Sequence, residues 1–136
     1  MEDKIEVKTE DLIGVALDWA VAQAAGWKAA RIATIEMPSK TVYEIQAPSG
    51  LDLRPSTDWC QCGPLISKYQ VALFPEAHDG REGTETSERW HANVYYDGGE
   101  QYTTEKCDTA LIAACRAIVA TRFGDAVKVP AKLVSP

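Results

Sequence analysis

The sequence contains two helical segments that carry almost no charge, and they constrain the fold more than any other feature. The first predicts a helix from an N-cap at Thr9 to Ala25, where Gly26 ends it. Asp18 is its only charge after the first turn. Its apolar residues form two neighbouring stripes at helical spacing: Ile13, Ala16, Leu17, Ala20 and Ala24, and beside them Leu12, Val15 and Trp19. A helix that is apolar on both stripes must be covered on more than one side.

The second segment predicts a helix from a cap at Asp108 to Phe123, before Gly124. Arg116 is its only charge before Arg122. We expect its inward stripe to consist of Leu111, Cys115, Ile118 and Val119.

Alternating or short apolar runs predict strands at Ile5–Lys8, Arg31–Glu36, Thr41–Ala47, Tyr69–Phe74, Trp90–Tyr96 and Val127–Pro130. Turns are predicted at Met37–Lys40 and Asp97–Gly99, whereas Leu51–Lys68 shows no clean periodicity. The α-β-β-β-α order predicts an α+β fold, in which an antiparallel sheet of three to five strands carries the two main helices on one face.

Chain length and hydropathy bound the organisation and the location. With 136 residues the chain fits one domain, 1–136, and we expect the termini, 1–4 and 131–136, and the polar loop 76–88 to be flexible. No apolar run approaches the roughly 18 residues that span a bilayer, and the acidic start lacks the apolar stretch of a signal peptide. We therefore expect a cytoplasmic protein with no membrane partner.

The net charge of −6 argues against a nucleic-acid partner, because binding phosphates takes a concentrated basic face. The α-β-β-β-α order also matches double-stranded-RNA-binding domains, but these use basic residues, so we keep the topology and reject the function. The acidic residues are scattered along the chain, which disfavours imitation of DNA.

The sequence offers little to a metal, a cofactor or a catalytic mechanism. The cysteines, at 60, 62, 107 and 115, lack zinc-knuckle spacing, and we expect four reduced thiols, no metal site and no cofactor. No Ser-His-Asp order with a nucleophile elbow and no phosphate loop is present. A hydrolase would need Asp58, Asp18 or His91 as its base.

The segment Arg54-Pro55-Ser56-Thr57-Asp58-Trp59 concentrates a cation, two hydroxyls, a carboxylate and an indole. One interpretation is structural: Ser56 or Thr57 caps a short helix, and Trp59 anchors the loop in the core. The other is functional: the segment lines a pocket in which Trp59 stacks on a flat ligand, while the hydroxyls and Asp58 bind its polar edge.

Asp18 and Arg116 are lone charges in apolar helices, and a buried charge is costly unless it is paired. The simplest account is a structural ion pair between them. The alternative is that both point into one cavity and hold a ligand there.

Three stretches resemble a known family: Gly14 to Ala22 with Asp18 and Trp19, Pro55 to Ile66 with its Pro-Ser-Thr-Asp-Trp run, and Leu111 to Arg116 followed by Gly124 to Pro130. Together they resemble the NinX-type family of lambda-like phage and prophage proteins over most of the chain. Cys62 stands where the family's pattern has a glycine. The resemblance implies a phage accessory protein made in an infected or lysogenic bacterium, and it supplies no reaction.

Two functional hypotheses follow. The first is a non-enzymatic domain that binds a nucleotide- or metabolite-like molecule, with a ligand-binding set of Arg54, Ser56, Thr57, Asp58, Trp59, Asp18 and Arg116. The second is a protein-interaction module that inhibits a host factor through its acidic surface and an apolar helix face. The second apolar stripe of the first helix also predicts a homodimer that buries it.

Overall fold

The computed structural model describes residues 3–27, 29–77, 86–96 and 98–134, and it describes only the backbone of 77 and 86–88. Within these ranges three α-helices and seven strands make an α+β fold, as predicted. The helices are α1 (Gly14–Ala25), α2 (Trp59–Tyr69) and α3 (Ala110–Phe123). The strands are β1 (Lys4–Lys8), β2 (Arg31–Met37), β3 (Lys40–Gln46), β4 (Ala72–Ala77), β5 (Thr86–Tyr96), β6 (Glu100–Thr103) and β7 (Ala126–Pro130). No helix in these ranges is long and apolar enough to cross a membrane.

The described strands are divided over three antiparallel sheets. β1 pairs with β7 and joins the two ends of the chain, β2 and β3 form a hairpin, and β4, β5 and β6 form a three-stranded sheet. The prediction that β4 begins at Tyr69 and ends before Pro75 is wrong, because Tyr69 belongs to α2 and Pro75 lies within the strand. β4 is an edge strand, where proline is tolerated because a missing N–H can face away from the ladder.

The loop predicted at 76–88 is shorter than expected, since its ends belong to β4 and β5. Residues 78–85, and residue 97 in the predicted turn at Asp97–Gly99, lie outside the described ranges. Near the C-terminus Ala131–Leu133 forms a 3₁₀ turn. The expected flexibility of residues 1, 2, 135 and 136 also concerns residues outside the described ranges.

α3 lies at the centre of the molecule and packs against α1, α2 and β5. Its predicted inward stripe is buried, and so is the opposite face, which consists of alanines: Ala113, Ala114, Ala117 and Ala120. Small side chains let neighbouring elements approach closely from several sides. α3 therefore serves as the axis on which the other layers pack.

α1 is covered by α3 on one side and by the β2–β3 hairpin on the other. Leu12 is buried in the main core, while Val15 and Trp19 pack against a second cluster around Ile45 and Leu53. Apart from Ile13, which is 56% exposed, both apolar stripes are therefore buried or half-buried within one chain. The homodimer stays a prediction, but the second stripe no longer supplies its reason.

The predicted caps of both long helices are displaced by a few residues. Thr9 begins a 3₁₀ turn, and α1 begins only at Gly14, whose φ of 62° favours glycine. The hydroxyl of Thr9 is used elsewhere, because it donates to the carbonyl oxygen of Gly124 at 2.7 Å. α3 is capped by Thr109, whose hydroxyl accepts from the N–H of Ile112 at 3.1 Å, and not by Asp108.

α2 occupies most of the segment in which the sequence shows no periodicity. Pro64 lies inside the helix and cannot donate to the preceding turn, which normally disfavours a helix. The helix is nevertheless stabilised by a cap at Asp58 and by burial of Cys62 and Leu65. Packing and capping together outweigh the local preference of the proline.

We expect Thr9→Val to destabilise the fold by about 1–2 kcal/mol, because it leaves the half-buried Gly124 carbonyl without the donor from buried Thr9 while keeping the side-chain volume. Equilibrium denaturation measures the change. Thr34→Val is the matched control, since Thr34 is exposed on β2 and the same substitution there should change stability little. Equal losses in the two variants would contradict the role given to Thr9.

Candidate functional site

The Arg54–Trp59 segment forms a turn that leads into α2. The N–H groups of Thr57 and Asp58 both donate to the carbonyl oxygen of Arg54, at 3.0 and 3.1 Å. Asp58 is the N-cap of α2, and its Oδ1 accepts from the N–H of Cys60 at 2.8 Å. The structural interpretation had given this cap to Ser56 or Thr57, and it had placed Trp59 in the core. The cap belongs to Asp58 instead, and 59% of Trp59 is exposed.

Gln61, in the first turn of α2, bonds this helix to the chain before the turn. Its Oε1 accepts from the N–H of Arg54 at 2.8 Å, and its Nε2 donates to the carbonyl oxygen of Asp52 at 2.8 Å. Nε2 also lies 3.5 Å from Oδ2 of Asp58. The side-chain amide therefore acts as a brace between the chain before the turn and the start of the helix.

Asp18 joins the same turn to α1. Its carboxylate is 6% exposed and accepts from the N–H of Ser56 at 2.9 Å. Burial raises the pKa of Asp18 to about 6, although the hydrogen bond from the N–H of Ser56 acts in the opposite direction. The buried hydroxyl oxygen of Ser56 has no partner of ordinary hydrogen-bond geometry among the described residues. A polar link in this position holds the turn against the core.

Arg116 does not reach Asp18. Its Nε donates to the carbonyl oxygen of Leu12 at 2.9 Å, and a terminal nitrogen donates to Sγ of Cys107 at 3.3 Å. The predicted ion pair between Asp18 and Arg116 is therefore absent from the described part of the chain, and the expectation of one was wrong. Each charge is satisfied separately: Asp18 by the turn that precedes α2, and Arg116 by the residues that precede α1 and α3.

The seven predicted ligand-binding residues do not enclose a common cavity. Arg54, Thr57 and Trp59 are exposed, while Ser56 and Asp18 are buried. The prominent cavities among the described residues are lined by other side chains. The segment predicted to be a pocket is instead a braced turn beside one.

That neighbouring concavity consists of two cavities of about 380 and 370 Å³, which meet at Trp27 and Leu53. We call it the Trp27 groove. The first cavity is lined by Trp27, Leu51, Leu53, Gln61, Pro64, Leu65 and Lys68. The second is lined by Trp27, Ala29, Ala30, Ala47, Pro48 and Leu53. Its lining is apolar apart from Gln61 and Lys68.

The elements that border the Trp27 groove follow from local sequence. Trp27 comes directly after the left-handed Gly26 that ends α1, and its N–H donates to the carbonyl oxygen of Ala22 at 2.9 Å. On α2 the lining residues are Gln61, Pro64, Leu65 and Lys68, which share one helical face by their spacing. Trp59 lies about 200° around the helix from Gln61 and belongs to another face.

The sequence interpretation missed these lining residues, although a signal existed. The spacing of Gln61, Pro64, Leu65 and Lys68 is that of one helical face, but Pro64 hid the helix. Leu51 and Leu53 flank Asp52 in alternation, which is typical of a short extended segment. Reading both patterns together would have pointed to a wall made of a helix and a strand edge.

The remaining titratable groups form no evident catalytic or metal-binding cluster. Within the described ranges no three His, Cys, Asp or Glu side chains lie together as metal ligands. Sγ of Cys62 and Sγ of Cys115 are 3.8 Å apart in the core, as two free thiols. His91 pairs with Glu76 and stacks on the ring of Phe74, with ring centroids 4.9 Å apart.

Asp18 should make the stability of the fold depend on pH. Because its folded-state pKa of about 6 exceeds the usual value near 4, the stabilisation that it contributes is complete below about pH 4 and is lost as the pH rises through 6. The loss is on the order of 2–3 kcal/mol. Asp18→Asn keeps an acceptor for Ser56 N–H and offers an N–H to the Ser56 hydroxyl, so it should remove this dependence.

Equilibrium denaturation of wild type and Asp18→Asn at about pH 4 and about pH 7.5 measures the effect. We expect the variant to gain stability over wild type at the higher pH. Asp11→Asn, at an exposed position, is the control and should leave the pH dependence unchanged. An identical pH dependence in wild type and Asp18→Asn would show that the buried carboxyl does not titrate as described.

Comparison with known families gives one match, which covers most of the chain. The sequence model described as "Bacteriophage P22, NinX" matches residues 8–122. This range contains Asp18, the Arg54–Trp59 segment, Gln61 and Arg116, and it confirms the resemblance found in the sequence. No curated protein matches the chain. The chain belongs to the bacteriophage P22 NinX family of phage proteins.

Proposed function

We propose that this phage protein is a non-enzymatic binding protein whose ligand is a small, flat, mainly apolar molecule held in the Trp27 groove. The observation that carries the proposal is the pair of adjoining cavities, of about 380 and 370 Å³, that share Trp27 and Leu53. Each has a volume typical of small-molecule sites. A mainly apolar lining with few polar groups is typical of such sites as well. Among the described residues that line the groove, Trp27 is the aromatic one.

The polar groups of the groove narrow the class of ligand. Among the described residues that line the groove, Lys68 is the one cation, and the side-chain amide of Gln61 already bonds to the backbone of Asp52 and Arg54. A nucleoside di- or triphosphate needs several donors or cations around its phosphates. One ammonium group suits a ligand with a single acidic group, such as an aromatic carboxylate. We therefore narrow the nucleotide- or metabolite-like ligand to an aromatic acid.

The Arg54–Trp59 segment enters this function as support for the groove. Leu53 and Gln61, on either side of the turn, both line the first cavity. The brace from Gln61 and the buried link from Asp18 to Ser56 fix the turn between them. A site whose walls are already fixed by such hydrogen bonds loses less conformational entropy when the ligand binds. The polar residues of the segment thus position the site without contacting the ligand.

Leu51→Glu should raise the Kd of a bound aromatic carboxylate by at least about tenfold, because it replaces apolar surface of the first cavity with a carboxylate that repels the ligand's acidic group. Leu51 is 57% exposed, so the substitution should leave the fold intact. Ligand-observed NMR with a library of aromatic carboxylates identifies a binder, and titration gives its Kd. Met37→Glu, also at an exposed apolar position, is the matched control and should bind like wild type.

Lys68→Ala tests the ligand's acidic group separately, since it should weaken the binding of carboxylates more than the binding of the corresponding uncharged amides. If no aromatic carboxylate binds, or if the Kd of a binder is the same for Leu51→Glu and Met37→Glu, the Trp27 groove is not the site.

The second candidate function is inhibition of a host protein, and the observation that favours it is the exposure of Trp59. A tryptophan with 59% of its surface in water is unusual on a small protein, and tryptophan is enriched among the residues that dominate protein interfaces. Trp59 lies in the first turn of α2, which is braced by Asp58 and Gln61. A rigid, exposed aromatic side chain is suited to anchor a partner.

Trp59→Ala should abolish capture of a host protein from bacterial lysate while changing stability by no more than about 0.5 kcal/mol, because the side chain is exposed. Tyr95→Ala, on the outer face of β5, removes a comparably exposed aromatic ring and is the control. Capture that survives Trp59→Ala, or that fails equally in both variants, would contradict a role for Trp59 as anchor.

A further inference from the structure

A cavity of about 570 Å³ runs along the outer edge of β3, away from the Trp27 groove. We call it the β3 cleft. One wall is the strand itself, from Lys40 to Tyr43. The other wall combines Val15 of α1 with Lys132 and Leu133 of the C-terminal 3₁₀ turn. A cleft between a strand edge and a helical wall has the form in which several domain types receive an extended peptide.

The backbone of β3 has an unpaired edge facing this cleft. Where the edge is occupied, the N–H of Leu53 donates to the carbonyl oxygen of Ile45 at 2.6 Å, and Ala47 donates to Leu51 at 2.9 Å. The backbone N–H and C=O groups of successive residues point to opposite edges of a strand. Those of Thr41 and Tyr43 therefore point to the same edge as those of Ile45. Within the described ranges no hydrogen bond from outside the hairpin reaches these two residues' N–H and C=O groups.

The chain itself already extends the hairpin at this edge. Residues 51–53 lie beside the end of β3 as a short antiparallel segment, with a bridge between Gln46 and Asp52. That pairing stops at Ile45, and the cleft begins where it stops. A peptide beside Thr41 and Tyr43 would continue the same line of strand pairing with two donors and two acceptors.

The charges and apolar groups of the cleft define the occupant. Lys40 and Lys132 stand on its two walls, and the Lys132 ammonium lies 5.5 Å from the centre of the Tyr43 ring. These two cations lie together in a chain with a net charge of −6. Val15 and Leu133 supply apolar surface between them. We propose that the β3 cleft binds an extended acidic segment of a partner protein, which pairs with β3 as an added strand.

This proposal uses neither the Trp27 groove nor Trp59, so either can fail while the other stands. The probe is a display library of random short peptides, selected on the whole protein. We expect enriched peptides that alternate acidic and apolar residues, because successive residues of an added strand face opposite sides. The best of them is then synthesised, and its Kd is measured for wild type and variants.

Two proline substitutions in the hairpin distinguish the two edges. Thr41→Pro removes an N–H that faces the cleft. Thr34 pairs with Tyr43, and at this pair the backbone N–H and C=O groups of both residues point away from the partner strand. Thr34→Pro therefore removes an N–H on the opposite edge of the hairpin. Neither N–H belongs to the β2–β3 ladder, so both variants should fold. Thr41→Pro should raise the Kd by at least about tenfold, and Thr34→Pro should leave it within about twofold.

A second pair of variants tests the charges without touching the backbone. Lys40→Glu with Lys132→Glu should abolish binding of the acidic peptide. Lys106→Glu with Lys128→Glu makes the same change in net charge at exposed positions that do not line the cleft, and it should weaken binding little. Failure to enrich acidic alternating peptides would overturn the proposal. So would equal binding by Thr41→Pro and Thr34→Pro, or binding that depends only on net charge.

Discussion

The structure depends on the burial of most of α3. α1, α2 and the three-stranded sheet all pack on this helix, and its alanines let them approach from several directions. Its one charge before the last turn is half-buried and needs polar partners within the protein. Arg116 meets this requirement by bonding to the Leu12 carbonyl and the Cys107 sulfur. Because Leu12 precedes α1 and Cys107 precedes α3, the same guanidinium also ties together the approaches to the two helices.

The most distinctive segment of the sequence is a joint between elements. Its turn is bonded to α1 through Asp18 and Ser56 and to α2 through Gln61, and Leu53 just before it pairs with β3. Burying the Asp18 carboxylate is unfavourable, as its raised pKa records, so the link has an energetic cost. Hydrogen bonds to three elements leave the turn little freedom to move. A rigid turn fixes the relative positions of Leu53 and Gln61, on which the Trp27 groove depends.

The sequence predicts the parts of this structure that local patterns determine. Glycines 26 and 124 end their helices as expected, and the stripe of α3 around Ile118 is buried. α2 was missed because Pro64 contradicts a helix locally, while the burial of Leu65 that outweighs it is a tertiary effect. The ligand-binding set stays a prediction, although its residues line none of the prominent cavities among the described residues. Polar residues near Trp59 satisfy backbone groups, and the sequence does not tell which polar groups are used in this way.

Electrostatics bears on how an acidic partner could approach an acidic protein. At long range the net charge of −6 repels such a partner, and this repulsion is screened over about 8 Å at physiological ionic strength. At contact distance the nearest charges dominate, and on the β3 cleft these are Lys40 and Lys132. Salt therefore has opposite effects on the approach of the partner and on its contact with the cleft. It favours the approach by screening the repulsion, and it weakens the contact with the two lysines. Affinity should then depend less steeply on salt than two lysine contacts alone would imply, because the two effects partly cancel.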